Sequence, residues 1–93
     1  MIVRLEIAFS FKRDLPEGYQ RLELPAGCDV LGALQHMVER YPVLRGRLFA
    51  EEGQVRRDIN ALVNGSNVRL REGLATILHD ADRLTILPPV GGG

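Results

Sequence analysis

Few side chains in this sequence are suited to covalent chemistry. There is one cysteine, Cys28, and there are two histidines, His36 and His79. Their spacing is not that of a structural zinc site, and no Ser-His-Asp set or paired carboxylates accompany them. Cys28 stands just before a helix pattern, where a thiolate is favoured, but a structural cysteine is the simpler reading. His36 reads as a solvated helix position and His79 as a loop residue. The remaining candidate is a main-chain group. The sequence closes Leu87-Pro88-Pro89-Val90-Gly91-Gly92-Gly93, which presents the α-carboxylate of Gly93. Pro88 and Pro89 stiffen the exit from the preceding apolar run. Gly91, Gly92 and Gly93 carry no side chain and thread a channel too narrow for other residues. Extended, the six residues after Leu87 reach roughly 20 Å. A glycine run is also an ordinary linker, so the elements that carry it must decide.

Those elements belong to one small domain, expected over residues 1–87, with 88–93 as its projecting tail. Ninety-three residues suffice for one modest core. The formal net charge is zero, from 12 basic and 12 acidic residues, which argues against bulk attraction to nucleic acid or anionic membranes. No apolar run approaches the roughly 20 residues of a membrane span, and no leader pattern is visible. The expected compartment is the cytoplasm, with no metal bound. Eleven of the 12 basic residues are arginine and one, Lys12, is lysine. Base composition or adaptation to heat accounts for that; scarcity of acylatable amines is the sharper alternative.

Residues 2–12 alternate, with Val3, Leu5, Ile7, Phe9 and Phe11 on one face, as a half-buried strand does. Asp14 to Gly18 reads as a turn, and Tyr19 to Leu24 alternates again, giving an antiparallel hairpin. Asp29 is an N-cap for a helix whose stripe is Val30, Leu31, Leu34, Met37, Val38 and Tyr41. Gly32 in its first turn suggests close packing, and Pro42 stops it. A helical turn around Leu44, Leu48 and Phe49 and a hairpin tip at Glu51-Glu52-Gly53 are expected next. Ala61-Leu62-Val63 is a strand closed by the Asn64-Gly65 turn. Val68-Arg69-Leu70 reads as a short edge strand, Thr76-Ile77-Leu78 as a 3₁₀ turn, and Arg83 to Leu87 as the last strand. Leu84 and Ile86 then face the core, and Leu87 faces the opposite side beside Pro88, Pro89 and Val90, an apolar cluster that reads as a docking surface, the alternative being that a neighbouring loop caps Leu87. Between Arg40 and Arg71 the arginines outnumber the acids, Glu51, Glu52 and Asp58; an acidic partner or solvent answers them equally well. The fold class is α+β, one main helix on one face of a sheet.

Taken together, the opening strand into Phe11-Lys12-Arg13-Asp14-Leu15, the helix close Glu39-Arg40-Tyr41-Pro42, Ala61-Leu62-Val63-Asn64-Gly65, His79-Asp80-Ala81-Asp82-Arg83-Leu84-Thr85-Ile86 and Pro88-Pro89-Val90 before the glycines resemble the ubiquitin-like sulfur carriers. The nearest resemblance is to the small subunit of molybdopterin synthase, with the thiamine-pathway carrier a relative. Ala81 stands where glycine is common, Gly91 where alanine or threonine is. The resemblance implies a ubiquitin-like β-grasp fold with a mixed sheet of four to five strands. It implies a chain that is not an enzyme on its own and holds no cofactor. A partner adenylating enzyme would use ATP and Mg²⁺ to activate Gly93, and a sulfur donor would leave a thiocarboxylate there. The large synthase subunit would receive Gly91 to Gly93 and use the sulfur for the dithiolene of molybdenum cofactor, with Leu87, Pro88, Pro89 and Val90 in the docking contact. A protein modifier joined through Gly93 to lysines, sulfur delivery to thiamine or tRNA, and a passive interaction domain are the alternatives.

Overall fold

The computed structural model describes residues 1–7 and 15–87. The expected Phe9 and Phe11 strand positions, Asp14, and the whole tail 88–93 lie outside them. Five strands form one mixed sheet: β1 (Ile2–Ile7), β2 (Arg21–Glu23), β3 (Asn60–Val63), β4 (Ser66–Asn67) and β5 (Arg83–Leu87), in the spatial order β2-β1-β5-β3-β4. β1 and β5 run parallel, while β1–β2, β3–β5 and β3–β4 are antiparallel. The strand that leads into the tail is therefore the middle one. The β1–β2 hairpin is as expected, although β2 is shorter than the alternation suggested, with Tyr19 in the turn before it.

The helix α1 spans Val30–Arg40. Asp29 caps it, its Oδ1 accepting from the Gly32 N–H at 2.8 Å, which satisfies one of the four orphan donors of the first turn. Pro42 cannot continue the ladder, and residues Pro42–Leu44 form a 3₁₀ turn that passes into a second, four-residue helix, α2 (Arg45–Leu48). The buried face of α1 is Val30, Ala33, Leu34, Met37 and Val38. Leu31 and Tyr41, expected in the stripe, are only half-buried, and Ala33 takes a central place instead. The helix shares a single core with Val3, Leu5, Leu22, Leu24, Ala61, Val63, Leu84 and Ile86 from the sheet. The alternation of β1, β3 and β5 puts those side chains on one face, and each large aliphatic removed from water there contributes about 1.5–3 kcal/mol.

Two sequence expectations fail for local reasons. Val68–Leu70 is a 3₁₀ turn, and the edge strand is Ser66–Asn67 before it. The two-residue Asn64-Gly65 turn, with φ of 52° and 85°, lets pairing start at once, as Val63↔Ser66 and Leu62↔Asn67. Asn67 Oδ1 then accepts from the Arg69 N–H at 2.9 Å and turns the chain out of the sheet. The later 3₁₀ turn is Gly73–Ala75, and Thr76–Leu78 lies beyond it. The Thr76 hydroxyl closes that turn by donating to the Gly73 carbonyl at 2.7 Å while accepting from the Glu72 N–H at 3.3 Å. Ile77 instead bridges antiparallel to Asp29, through Val30 N–H to the Thr76 carbonyl and Leu78 N–H to the Cys28 carbonyl. The Glu51-Glu52-Gly53 tip is as expected, between the bridged residues Phe49 and Val55.

Candidate functional site

β5 delivers the tail. Leu84 and Ile86 are fully buried, and Leu87 is half-buried on the opposite face, the parity the sequence required. Leu87 pairs with Asn60, the first residue of β3. The face that Leu87 shares with β1 and β3 is semi-polar. Thr85 Oγ1 donates to Glu6 Oε1 at 3.1 Å, and the Arg83 guanidinium reaches the same oxygen at 3.5 Å. The opposite end of β5 is pinned. Asn64 Nδ2 donates to Asp82 Oδ1 at 2.9 Å, Asn64 Oδ1 accepts from the Arg83 N–H at 2.9 Å, and Asp82 Oδ2 accepts from the His79 N–H at 2.8 Å. The remaining site residues, Pro88, Pro89, Val90, Gly91, Gly92 and Gly93, are outside the described part.

The segment before β3 holds some of the arginines that the sequence showed only as a run of charge. Three residues before Asn60 lies Arg57, whose carbonyl accepts from Arg69 Nη2 at 2.7 Å. Arg56 pairs with Asp58, Nη2 to Oδ2 at 2.6 Å, and donates from Nη1 to the Gly46 carbonyl. The hydrogen bond from Arg56 holds the Asp58 carboxyl below its ordinary range.

Cys28 does not behave as a thiolate. It is half-buried, its thiol donates to the Asp29 carbonyl at 3.4 Å, and burial, then the neighbouring Asp29 charge, push its pKa up. Gly32 is the reason it fits: a Cβ there would stand 2.8 Å from Cys28 Sγ and 3.2 Å from Asp29 Oδ1. His79 is exposed in the loop; His36 is half-buried, beside Arg21, Arg40 and Tyr41 in a cleft of about 460 Å³. Among the described residues, no three of His, Cys, Asp and Glu gather to hold a metal, and no helix is long and apolar enough to cross a membrane.

The ThiS family pattern matches residues 9–93 of this chain, through the glycines and over the whole of β5. The chain belongs to the ThiS family. Its fold is accordingly the ubiquitin-like β-grasp of the small sulfur carriers and modifiers, as the five-stranded sheet and its helix require. Among curated relatives, it is 43% identical over 65 residues to small archaeal modifier protein 3 of Haloferax volcanii, covering 70% of this chain and 66% of that one. It is 41% identical over 71 residues to the sulfur carrier protein CysO of Mycobacterium tuberculosis, covering 73% and 76%. A solved chain of the Amycolatopsis orientalis BexX/CysO complex superposes with a TM-score of 0.76 at 33% identity, covering 98% of this chain and 99% of that one. These relatives are named as a modifier and as sulfur carriers, and the CysO of Amycolatopsis orientalis is seen in a complex with BexX.

Proposed function

We propose that this ThiS-family chain carries sulfur as a thiocarboxylate on Gly93. The observation that supports this reading is that the family match covers residues 9–93, terminal glycines included, and that β5, the middle strand of the sheet, ends at Leu87, the residue before the tail. A carboxylate is a poor acyl donor, so a partner adenylating enzyme must first convert it. The Gly93 oxygen attacks the α-phosphorus of ATP, with Mg²⁺ held by the partner, and pyrophosphate leaves. A hydrosulfide from a donor then attacks the acyl carbon, AMP leaves and the thiocarboxylate remains; from a persulfide donor the product is an acyl disulfide, which a thiol then cleaves to the thiocarboxylate with formation of a disulfide on the donor. Pro88 and Pro89 aim the tail, Gly91 and Gly92 let it enter a narrow channel, and Leu87 with Val90 grips the partner's surface. The finer reading, carried over from the sequence resemblance, is that the large subunit of molybdopterin synthase receives this tail and spends the sulfur on the dithiolene.

The test is to incubate the purified chain with an adenylating enzyme, ATP, Mg²⁺ and a sulfur donor, and to weigh it intact. A gain equal to the difference between sulfur and oxygen supports the proposal, and an unchanged mass under conditions that load a known carrier contradicts it. Co-purification with a large synthase subunit separates the molybdopterin acceptor from thiamine or tRNA. A second reading, conjugation through Gly93 to lysines of other proteins, is favoured by the 43% identity to a small archaeal modifier. It uses the same adenylate, and isopeptide-linked adducts of a tagged chain would reveal it.

A further inference from the structure

β2 is one edge of the sheet, and among the described residues no strand pairs with its outer side. Met1 and Leu24 exchange backbone hydrogen bonds at 2.8 and 2.9 Å, and the Gln20 carbonyl accepts from the Leu5 N–H at 2.7 Å. Residues 20, 22 and 24 therefore turn their backbone groups to β1, and the alternation of an antiparallel ladder turns those of Arg21 and Glu23 outward. The Arg21 N–H closes the turn before β2 on the Gly18 carbonyl at 3.2 Å; the Glu23 N–H and both carbonyls have no backbone partner among the described residues. Alongside this edge, a cleft of about 460 Å³ separates Arg21 to Glu23 from His36, Arg40 and Tyr41 at the end of α1. The Arg21 and Glu23 side chains are exposed, flanking the buried Leu22, and carry opposite charges. Neither makes a hydrogen bond or ion pair among the described residues. Arg21 stands directly across from Arg4, in a non-hydrogen-bonded pair, where side chains come closest and like charges destabilise.

We propose that two copies of this chain associate here, β2 against β2, antiparallel about a two-fold axis at Leu22. The strand reads Arg-Leu-Glu in one direction and Glu-Leu-Arg in the other, so this register sets Arg21 against Glu23 of the second copy, twice. The same two pairs are the hydrogen-bonded ones, because residues 21 and 23 point outward. Each Glu23 N–H donates to the Arg21 carbonyl across the axis, and the Arg21 N–H, already in its turn, adds a shared bond. Slipping by two residues in either direction would set Arg21 against Arg21 or Glu23 against Glu23, so charge fixes the register. The second copy thus gives Arg21 the counter-charge that Arg4 denies it. A purely acidic segment would answer Arg21 but repel Glu23; a strand carrying both signs fits, and this chain supplies one. The ladder is bounded by the Gly18 turn and by Pro25, which has no N–H to offer, so the contact is small and the association weak and reversible. β5 lies two strands in from the contact, and the pairing is independent of the carrier reading.

The experiment is sedimentation equilibrium of the full chain from about 10 µM to about 1 mM, with ¹⁵N amide shifts followed over the same range. The expected result is an average mass that rises from 10.4 kDa toward twice that value and no further. The shifts should centre on residues 20–24, and added salt should weaken both effects. Arg21→Glu and Glu23→Arg should each loosen self-association about tenfold, because each sets like charges across the axis. An equimolar mixture of the two variants should associate again, since every glutamate then meets an arginine. The double exchange Arg21→Glu/Glu23→Arg should self-associate as the parent does, with thermal unfolding recorded for every variant. A monomer at all concentrations, masses beyond the dimer, single variants that associate like the parent, or a mixture that stays monomeric would overturn the proposal. So would a monomeric chain whose edge amides respond to a glutamate decapeptide, which would give the edge to an acidic partner.

Discussion

Asn64 and Asp82 hold each other across the ends of β3 and β5, amide to carboxylate at 2.9 Å, and between them they bond the backbone on both sides of the turn that starts β5. Asn64 takes the Arg83 N–H, while the Arg83 carbonyl accepts from the Asn64 N–H. Asp82 takes the His79 N–H on its other oxygen, and its side chain is only 16% exposed. Asp82→Ala leaves the Asn64 amide and the His79 N–H without this acceptor, and should lower stability by about 2 kcal/mol. Urea unfolding measures it, and an unmoved midpoint would show that the clamp is ornamental. Faster hydrogen exchange at His79 and Arg83 should accompany the loss.

Ala81 sits at φ 70°, where a Cβ costs about 1–2 kcal/mol. Its N–H donates to the Ile2 carbonyl at 2.8 Å, so the chain is held there rather than relaxing. Ala81→Gly should raise stability by about 0.5–1 kcal/mol, the relief of strain exceeding the added freedom of the unfolded chain. A lower melting temperature for Ala81→Gly would contradict this account of the turn.

Much of the sheet was legible because β1 and β5 each bury one face, so alternation alone assigned Val3, Leu5, Leu84 and Ile86 inward, whereas Ala61 to Val63 was legible only as an apolar run. The cap at Asp29 and the Asn64-Gly65 turn were legible because each rests on chemistry within four residues. Val68–Leu70 and Thr76–Leu78 were misplaced because their conformation is decided by side-chain bonds from Asn67 and Thr76, which leave no period in the sequence. The glycine tail was legible as a candidate site from residue type alone. That Leu87 at its root lies beside Asn60 was not, because this is a pairing between residues far apart in the chain.

Gly32 and Cys28 should prove coupled. In an ordinary helix, Gly→Ala gains about 1 kcal/mol. Here the new Cβ meets Cys28 Sγ at 2.8 Å, and overpacking of this kind costs about 1–3 kcal/mol. Gly32→Ala should therefore destabilise the protein, whereas Gly32→Ala in a Cys28→Ala background should approach neutral. A double-mutant cycle by chemical unfolding checks it, and additive effects would mean the sulfur is not the obstacle.

The Cys28 thiol should be slow to alkylate at neutral pH. Burial and Asp29 raise its pKa from the ordinary value of 9.0, so the folded state keeps a proton that the unfolded chain gives up. The stability this contributes is complete below the unfolded pKa and is lost as pH rises through the folded one. Iodoacetamide labelling of the folded chain should climb at higher pH than that of a free cysteine peptide. Labelling at neutral pH as fast as the peptide would contradict the structural role given to Cys28.

The central claim is that the reactive group is the Gly93 carboxylate and not a side chain. After loading with an adenylating enzyme, ATP and a sulfur donor, fragmentation of the intact chain places the sulfur. The account predicts sulfur in place of oxygen on the fragment ending at Gly93, with Cys28→Ser loading as well as the parent chain. Sulfur added to Cys28 as a persulfide, or loading lost in Cys28→Ser while the tail is intact, would contradict it.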